Sequence, residues 1–301
     1  MNFFKNTTLI FFSIFMSARA NAFLSLAEDS FKWNKSTLKV CWASFTDLKQ
    51  SPQFDEVNDL ITKCESMNAK PVFINEEDRA AVKETVIREY NLRKTGITFE
   101  GWQNCTAVAD ADIKLVFLDK IIFPQLDPSK SNSIRREILT DFYSLPVGQS
   151  NLGLSRRENN GARVTRSRDE KGFIFVRKTR NLRSELKINP QHSFLLTVLH
   201  EFGHAAGLRH EHIKKTALTD PNCKDVFLDK NDFTENTSTA HSFGEYDPLS
   251  IMNYCHIRQL EKKGIQSLSE IQLSPGDLHT LRCLYQPETQ SPSVCLKKAV
   301  N

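Results

Sequence analysis

Three histidines, a glutamate and a glycine fall in the run His200-Glu201-Phe202-Gly203-His204-Ala205-Ala206-Gly207-Leu208-Arg209-His210, and their spacing restricts the local backbone severely. On a helix, residues four apart share a face, so His200 and His204 aim their rings at one point. A helix carried straight through would turn position 210 away from that point. The chain must therefore leave the helix after His204 and double back. Gly207 permits the turn, because a residue without Cβ tolerates positive φ. Three neutral imidazoles suit Zn²⁺ at about 2.0–2.1 Å and leave a fourth coordination position for water. Glu201 faces the same cleft, where a carboxylate can accept a proton from that water and pass it to a leaving amine. The spacing thus predicts His200, His204 and His210 as ligands of one zinc ion and Glu201 as general base, acting in peptide-bond hydrolysis.

Downstream, Tyr246-Asp247-Pro248-Leu249-Ser250-Ile251-Met252-Asn253-Tyr254 forms a proline-containing turn that closes on a methionine and a tyrosine. With this turn behind the three-histidine run, the chain resembles the metzincin zinc peptidases. The resemblance implies that Met252 is an apolar floor under the metal and not a ligand. Glu211 after the third histidine, and Tyr254 two places after Met252, look like the astacin choice. The astacin likeness implies that Tyr254 hydrogen-bonds the tetrahedral intermediate. Where an astacin continues with an arginine- and aspartate-rich run, this chain reads His212-Ile213-Lys214-Lys215-Thr216-Ala217, which argues against the astacin salt bridge from Glu211 to a mature N-terminus. The implied fold is α+β, a mixed twisted sheet with the active-site helix in an upper lobe, about 37–206, and a smaller, irregular and helical lower lobe, about 207–301. The resemblance also implies an edge strand above the cleft that takes up the substrate backbone, expected from residues 119–172.

At the N-terminus, Lys5 precedes the apolar run Leu9-Ile10-Phe11-Phe12-Ser13-Ile14-Phe15-Met16, followed by Ala18-Arg19-Ala20-Asn21-Ala22. This pattern predicts a signal peptide over 1–22, cleaved after Ala20 or Ala22, and a secreted or periplasmic product. No stretch reaches the about 18 apolar residues of a membrane span, so no transmembrane anchor is expected. Residues 23–36 are then a short N-terminal segment, at most a remnant of a propeptide, ahead of a catalytic domain over 37–301. An extracytoplasmic setting allows disulfides among the seven cysteines 41, 64, 105, 223, 255, 283 and 295, with at least one left over. Proximity in the implied fold suggests Cys223 with Cys255 and Cys41 with Cys105, leaving Cys64, Cys283 and Cys295 open. A leftover thiol is either a spare or an inhibitory ligand to the metal.

Along the chain, Thr37 to Trp42, Ile97 to Trp102, Asp112 to Leu118 and Phe173 to Arg177 read as strands. Asn75 with Asp78 starts a helix that carries Val82, Val86, Ile87 and Tyr90 and ends at Gly96. Ile134, Ile138, Leu139 and Phe142 suit one short amphipathic helix. Asn189 and Pro190 open the active-site helix, and Ser274-Pro275-Gly276-Asp277 opens another bearing Leu278, Leu281 and Leu284. The net charge of +4 is modest, but residues 155–187 concentrate basic residues, including Arg156, Arg157, Arg163, Arg166, Arg168, Arg177, Lys178, Arg180 and Arg183. A solvated loop explains them, with attraction to acidic substrates, weak contact to an anionic surface, or a processing site for another protease as functional alternatives. No nucleic-acid-binding signature accompanies the charge. Histidines 192, 212, 241, 256 and 279 lie outside the metal spacing and read as structural. The competing reading is a secreted binding module of metzincin fold without turnover. A zinc peptidase with a distant glutamate as third ligand is disfavoured by His210.

Overall fold

A computed structural model describes residues 32–44, 55–108, 110–123, 136–143, 148–150, 155–157, 163–165, 172–178, 189–213, 217, 219–223, 246–290 and 295, with short pieces at 26–27, 47, 241–242 and 298–299. The signal sequence expected over 1–22 lies outside the described residues.

Six strands form the main sheet: β1 (Thr37–Trp42), β2 (Lys70–Phe73), β3 (Thr98–Asn104), β4 (Ile113–Ile122), β5 (Gly148–Ser150) and β6 (Gly172–Arg177). The order is β3-β1-β4-β6-β5, with β2 paired to the far end of β4. Strands β3, β1, β4 and β6 run parallel, whereas β2 and β5 are antiparallel to their neighbours, so the sheet is mixed. Ile113, Leu115 and Phe117 alternate as a half-buried strand would, yet Val116 and Leu118 are equally buried. Parallel strands are normally covered on both faces, and the apolar runs of β4 and β6 obey that rule.

One face carries Leu38, Val40, Phe99, Leu115, Phe117, Ile174 and Val176 and packs against α2 (Glu76–Val86) and α3 (Pro190–Ala205). The other carries Val116, Leu118, Phe173 and Phe175 and packs against α1 (Asp55–Ser66) and a short helix over 136–143 through Leu60, Ile61, Ile138 and Phe142. Two further helices, α4 (Tyr254–Lys263) and α5 (Pro275–Tyr285), follow the three-histidine run. Elements α1, β2 and α4 were not expected from the sequence: both helices are amphipathic but rich in polar and charged residues, and β2 has only four residues. The start of α2 lies where the sequence places it: Asn75 Oδ1 accepts from Asp78 N–H at 2.8 Å. The end differs, because α2 widens into a π-helical turn, Ile87–Leu92, before Gly96 takes positive φ. The wider turn directs Tyr90 into the core, where its hydroxyl donates to the Leu199 carbonyl of α3 at 3.2 Å.

Aromatic packing fixes α3 on the sheet. Phe202 meets Phe99 edge-on at 4.8 Å and stacks with Trp102 at 5.9 Å. Each such fully buried ring contributes about 1.5–3 kcal/mol. Disulfides join Cys41 to Cys105 and Cys223 to Cys255, the two expected pairs, and Cys283 to Cys295. Cys64 is the free cysteine. It is buried among Leu60, Ile61 and Phe142 beneath the sheet, and burial pushes its thiol up to about 11. A protonated thiol enclosed there has no route to the imidazoles, so its inhibitory role is set aside.

The basic segment is only partly described. A hairpin pairs Ser155–Arg157 with Arg163–Thr165, while Arg166, Arg168, Arg180 and Arg183 lie outside the described residues. Arg177 and Lys178 do not belong to a solvated loop. Arg177 is buried with its guanidinium over the rings of Phe142 and Tyr143, and Lys178 pairs with the buried Asp78 at 2.6 Å. Among the described residues, no helix is long and apolar enough to cross a membrane.

Candidate metal centre

The helix that carries the motif is built from its first residue. Asn189 caps it by accepting from Gln191 N–H at 2.8 Å, and Pro190 occupies the first turn, where a missing N–H costs nothing. Phe194, Leu195, Leu196, Val198 and Leu199 are buried, so α3 runs through the core instead of over it. Its last carbonyls are satisfied by distant side chains: Trp33 Nε1 donates to Ala205 O at 2.8 Å and Tyr285 Oη to Ala206 O at 2.9 Å. The chain then turns at Gly207, whose φ of 95° closes the bonds Gly207 N–H to His204 O and Leu208 N–H to Gly203 O. A side chain there would be strained.

This turn returns His210 to the helix face. The candidate donor atoms of His200, His204 and His210 lie within 4.8 Å of one another, and His204 Nε2 is 2.9 Å from His210 Nε2. Backbone carbonyls choose the tautomers. His200 Nδ1 lies 2.9 Å from Ile251 O and His204 Nδ1 2.8 Å from Leu208 O. A carbonyl only accepts, so both Nδ1 atoms carry the proton and both Nε2 atoms keep a lone pair. Three imidazoles in this arrangement, two held by such bonds, are a donor set that fits a metal ion.

Beneath them lies the methionine turn. Met252 is fully buried, and a Cβ on Gly203 would run into its sulfur. A glycine inside a helix costs about 1 kcal/mol relative to alanine. Here that cost admits the Met252 sulfur between the two histidine-bearing turns of α3. The turn is anchored by acids that the sequence marked only as a helix start and as part of the turn itself. Asp277, in the capping box of α5, accepts from Ser250 Oγ at 2.6 Å, Ile251 N–H at 2.9 Å and Ser274 N–H at 3.0 Å. Ser274 Oγ donates to Asp247 at 2.6 Å. Because the Ile251 carbonyl accepts from His200, Asp277 holds the residue on which that ring rests. Asp277→Ala would strand three buried donors, and a loss of about 3–5 kcal/mol in urea-unfolding free energy is expected. Glu211 is also buried and accepts from Asp247 N–H at 2.8 Å, so it too braces this turn.

Glu201 is 5% exposed and faces the edge strand β5. Its Oε2 accepts from Ser150 Oγ at 2.6 Å, and the backbone of Gly148 passes close to the other oxygen. Burial pushes the carboxyl up to about 8, and the Ser150 hydrogen bond pulls it the other way. Tyr254 stands on the opposite side at the start of α4, its ring 4.6 Å from that of His210 and 5.3 Å from that of His200. His212, read as structural, stacks on Tyr254 at 4.5 Å and holds that ring from behind. Residues 200, 201, 204, 210, 252 and 254 therefore share one site, with Gly207 as its pivot. Ser150 and Gly148 escaped notice because they sit in a three-residue strand whose meaning depends entirely on its neighbours.

No protein-family model and no curated protein matches the chain. Solved structures give distant likenesses. One is a structure of myroilysin, 17% identical with a TM-score of 0.35, covering 87% of this chain and 98% of that one. Another is the GM1-bound form of the ECX AB5 holotoxin, 9% identical with a TM-score of 0.39, covering 87% of this chain and 88% of that one.

Proposed function

We propose that the protein is a zinc-dependent endopeptidase of astacin-like, metzincin type, acting outside the cytoplasm on protein or peptide substrates. The observation that carries this reading is the meeting of His200, His204 and His210 beside a buried Glu201, with the Tyr254 ring against those of His200 and His210. A site serving structure alone closes its metal with four protein ligands and has no use for such a glutamate. His200, His204 and His210 would hold the zinc, which would supply Lewis acidity and a lowered water pKa.

The remaining steps belong to the chain. Glu201 takes the proton of the attacking water and delivers it to the amide nitrogen as the C–N bond breaks, so no covalent acyl-enzyme is needed. The Tyr254 hydroxyl donates to the oxyanion that develops on the scissile carbonyl. Met252 keeps the underside of the site apolar. Strand β5, last in the sheet among the described residues, offers its outer side to an extended peptide by strand addition. Secretion is supported by the N-terminal sequence pattern and by the three disulfides.

The test is incubation of the purified, N-terminally sequenced protein with a peptide library, untreated, chelated, and chelated then resupplied with zinc. Cleavage in the first and third arms alone is expected. Cleavage that survives chelation, or its absence from all arms in zinc-loaded protein, sinks the reading.

A further inference from the structure

Strand β5 touches the site through two side-by-side positions. Gly148 and Ser150 are two apart on a strand, so they present the same face, and that face lies on α3. Register fixes the strand firmly: Gly148, Gln149 and Ser150 oppose Val176, Phe175 and Ile174 of the buried strand β6. Ser150 Oγ donates to Glu201 Oε2 at 2.6 Å. At Gly148 the backbone approaches so closely that a Cβ would collide with Glu201 Oε1 and stand 2.7 Å from Thr197 Cγ2 and 2.9 Å from Glu201 Cδ. Thr197 and Glu201 are four apart on α3, so the missing side chain at 148 makes the room in which the carboxylate lies. One oxygen is held by a donor, and the other lies where a side chain at 148 would otherwise stand. A glutamate otherwise turns about three side-chain bonds and holds no fixed direction.

We propose that Ser150 and Gly148 are positioning residues for Glu201, through which the strand that receives the peptide also sets the place of the proton-accepting carboxylate. Resting on the peptidase reading, the inference assigns these residues no contact with the reacting atoms. Ser150 occupies one lone pair of Oε2 and leaves Oε1 to accept a proton. A peptide added to β5 is thereby brought into the same frame as the carboxylate, because strand and carboxylate move together.

The experiment compares zinc-loaded, full-length wild type with Ser150→Ala, Ser150→Thr and Gly148→Ala. Readouts are steady-state cleavage of a quenched fluorescent peptide, zinc content, and crystal structures that locate the Glu201 carboxylate. Ser150→Ala is expected to lose about 10–100-fold in kcat, with KM and zinc content unchanged and the carboxylate displaced or spread over several positions. Ser150→Thr keeps a hydroxyl on the same carbon and restores most of the rate. Gly148→Ala is expected to move the carboxylate and lose at least as much. An unchanged kcat in Ser150→Ala, a loss carried by KM, or no rescue by threonine overturns the inference. Should zinc-loaded wild type cleave no peptide, the peptidase reading fails by itself. The crystal structures then decide the positioning, which is overturned if Glu201 occupies one place in wild type and Ser150→Ala alike.

Discussion

Glu201→Gln is expected to lower kcat for peptide hydrolysis by about 10²–10⁴-fold while zinc content and fold are retained. The amide keeps the shape of the carboxylate and can still accept from Ser150, but it cannot take the proton of the attacking water. The same substitution should alter stability in a defined direction. The folded, chelated protein holds the Glu201 proton up to about 8, whereas the unfolded chain releases it near 4.5. Between those values the folded state binds the extra proton, so the stability of the chelated wild type falls as pH rises through that window. Glutamine has no proton to lose. Chelated Glu201→Gln should therefore unfold at a temperature less dependent on pH, and above that of wild type at the alkaline end. Thermal unfolding across that range, with peptide cleavage on the zinc-loaded samples, checks both halves. Comparable turnover in the mutant would remove Glu201 from the chemistry.

Zinc should also act as a folding ligand. Any species that binds only the native state stabilises it, by about 4 kcal/mol at a thousandfold excess over its dissociation constant. His210 lies on the loop beyond Gly207, and the opposing rings of His204 and His210 approach at 2.9 Å between Nε2 atoms. Two like nitrogens at that distance are favourable only with a proton or a cation between them. His210→Ala removes one donor and leaves two on α3. Its zinc affinity should fall by more than the about 10–100-fold that follows loss of a hydrogen bond behind a ligand. The zinc-induced rise in unfolding temperature should shrink or vanish with it. Zinc titration followed by calorimetry measures both. A full thermal shift in the mutant would place the metal elsewhere.

How much of this could be read from residues alone varies with the range of the interaction. The capped start of α2 at Asn75, the capped start of α3 at Asn189 and the Ser274 box of α5 are local signals, and each appears where the sequence places it. Strands β4 and β6 were legible as buried, mostly apolar runs, and β1 and β3 by shorter alternation of apolar with polar residues. Helix α1 and strand β2 were missed, since α1 mixes Asp55, Asn58, Asp59 and Lys63 among its apolar residues and β2 has only four residues. Arg177 was read as the last residue of a strand, which holds, and also among the basic residues of a solvated loop, which does not. It closes a buried strand and lies over two aromatic rings from a helix more than thirty positions earlier, and no local pattern reports such a contact.

What the chain determined by itself is the convergence of its imidazoles. Helical spacing aims His200 and His204 together, and Gly207 supplies the one backbone conformation that brings His210 back to them. Those are short-range constraints, set by bond geometry and the lack of a Cβ. Tertiary structure alone decided what surrounds them: the carbonyl of Ile251 that selects the His200 tautomer, the Asp277 anchor under the methionine turn, and the pairing of β5 that lays Ser150 against Glu201. Each of these is a hydrogen bond to a group whose position depends on the packing of the whole domain. Most join residues tens of positions apart, so only the closed fold brings donor and acceptor within reach.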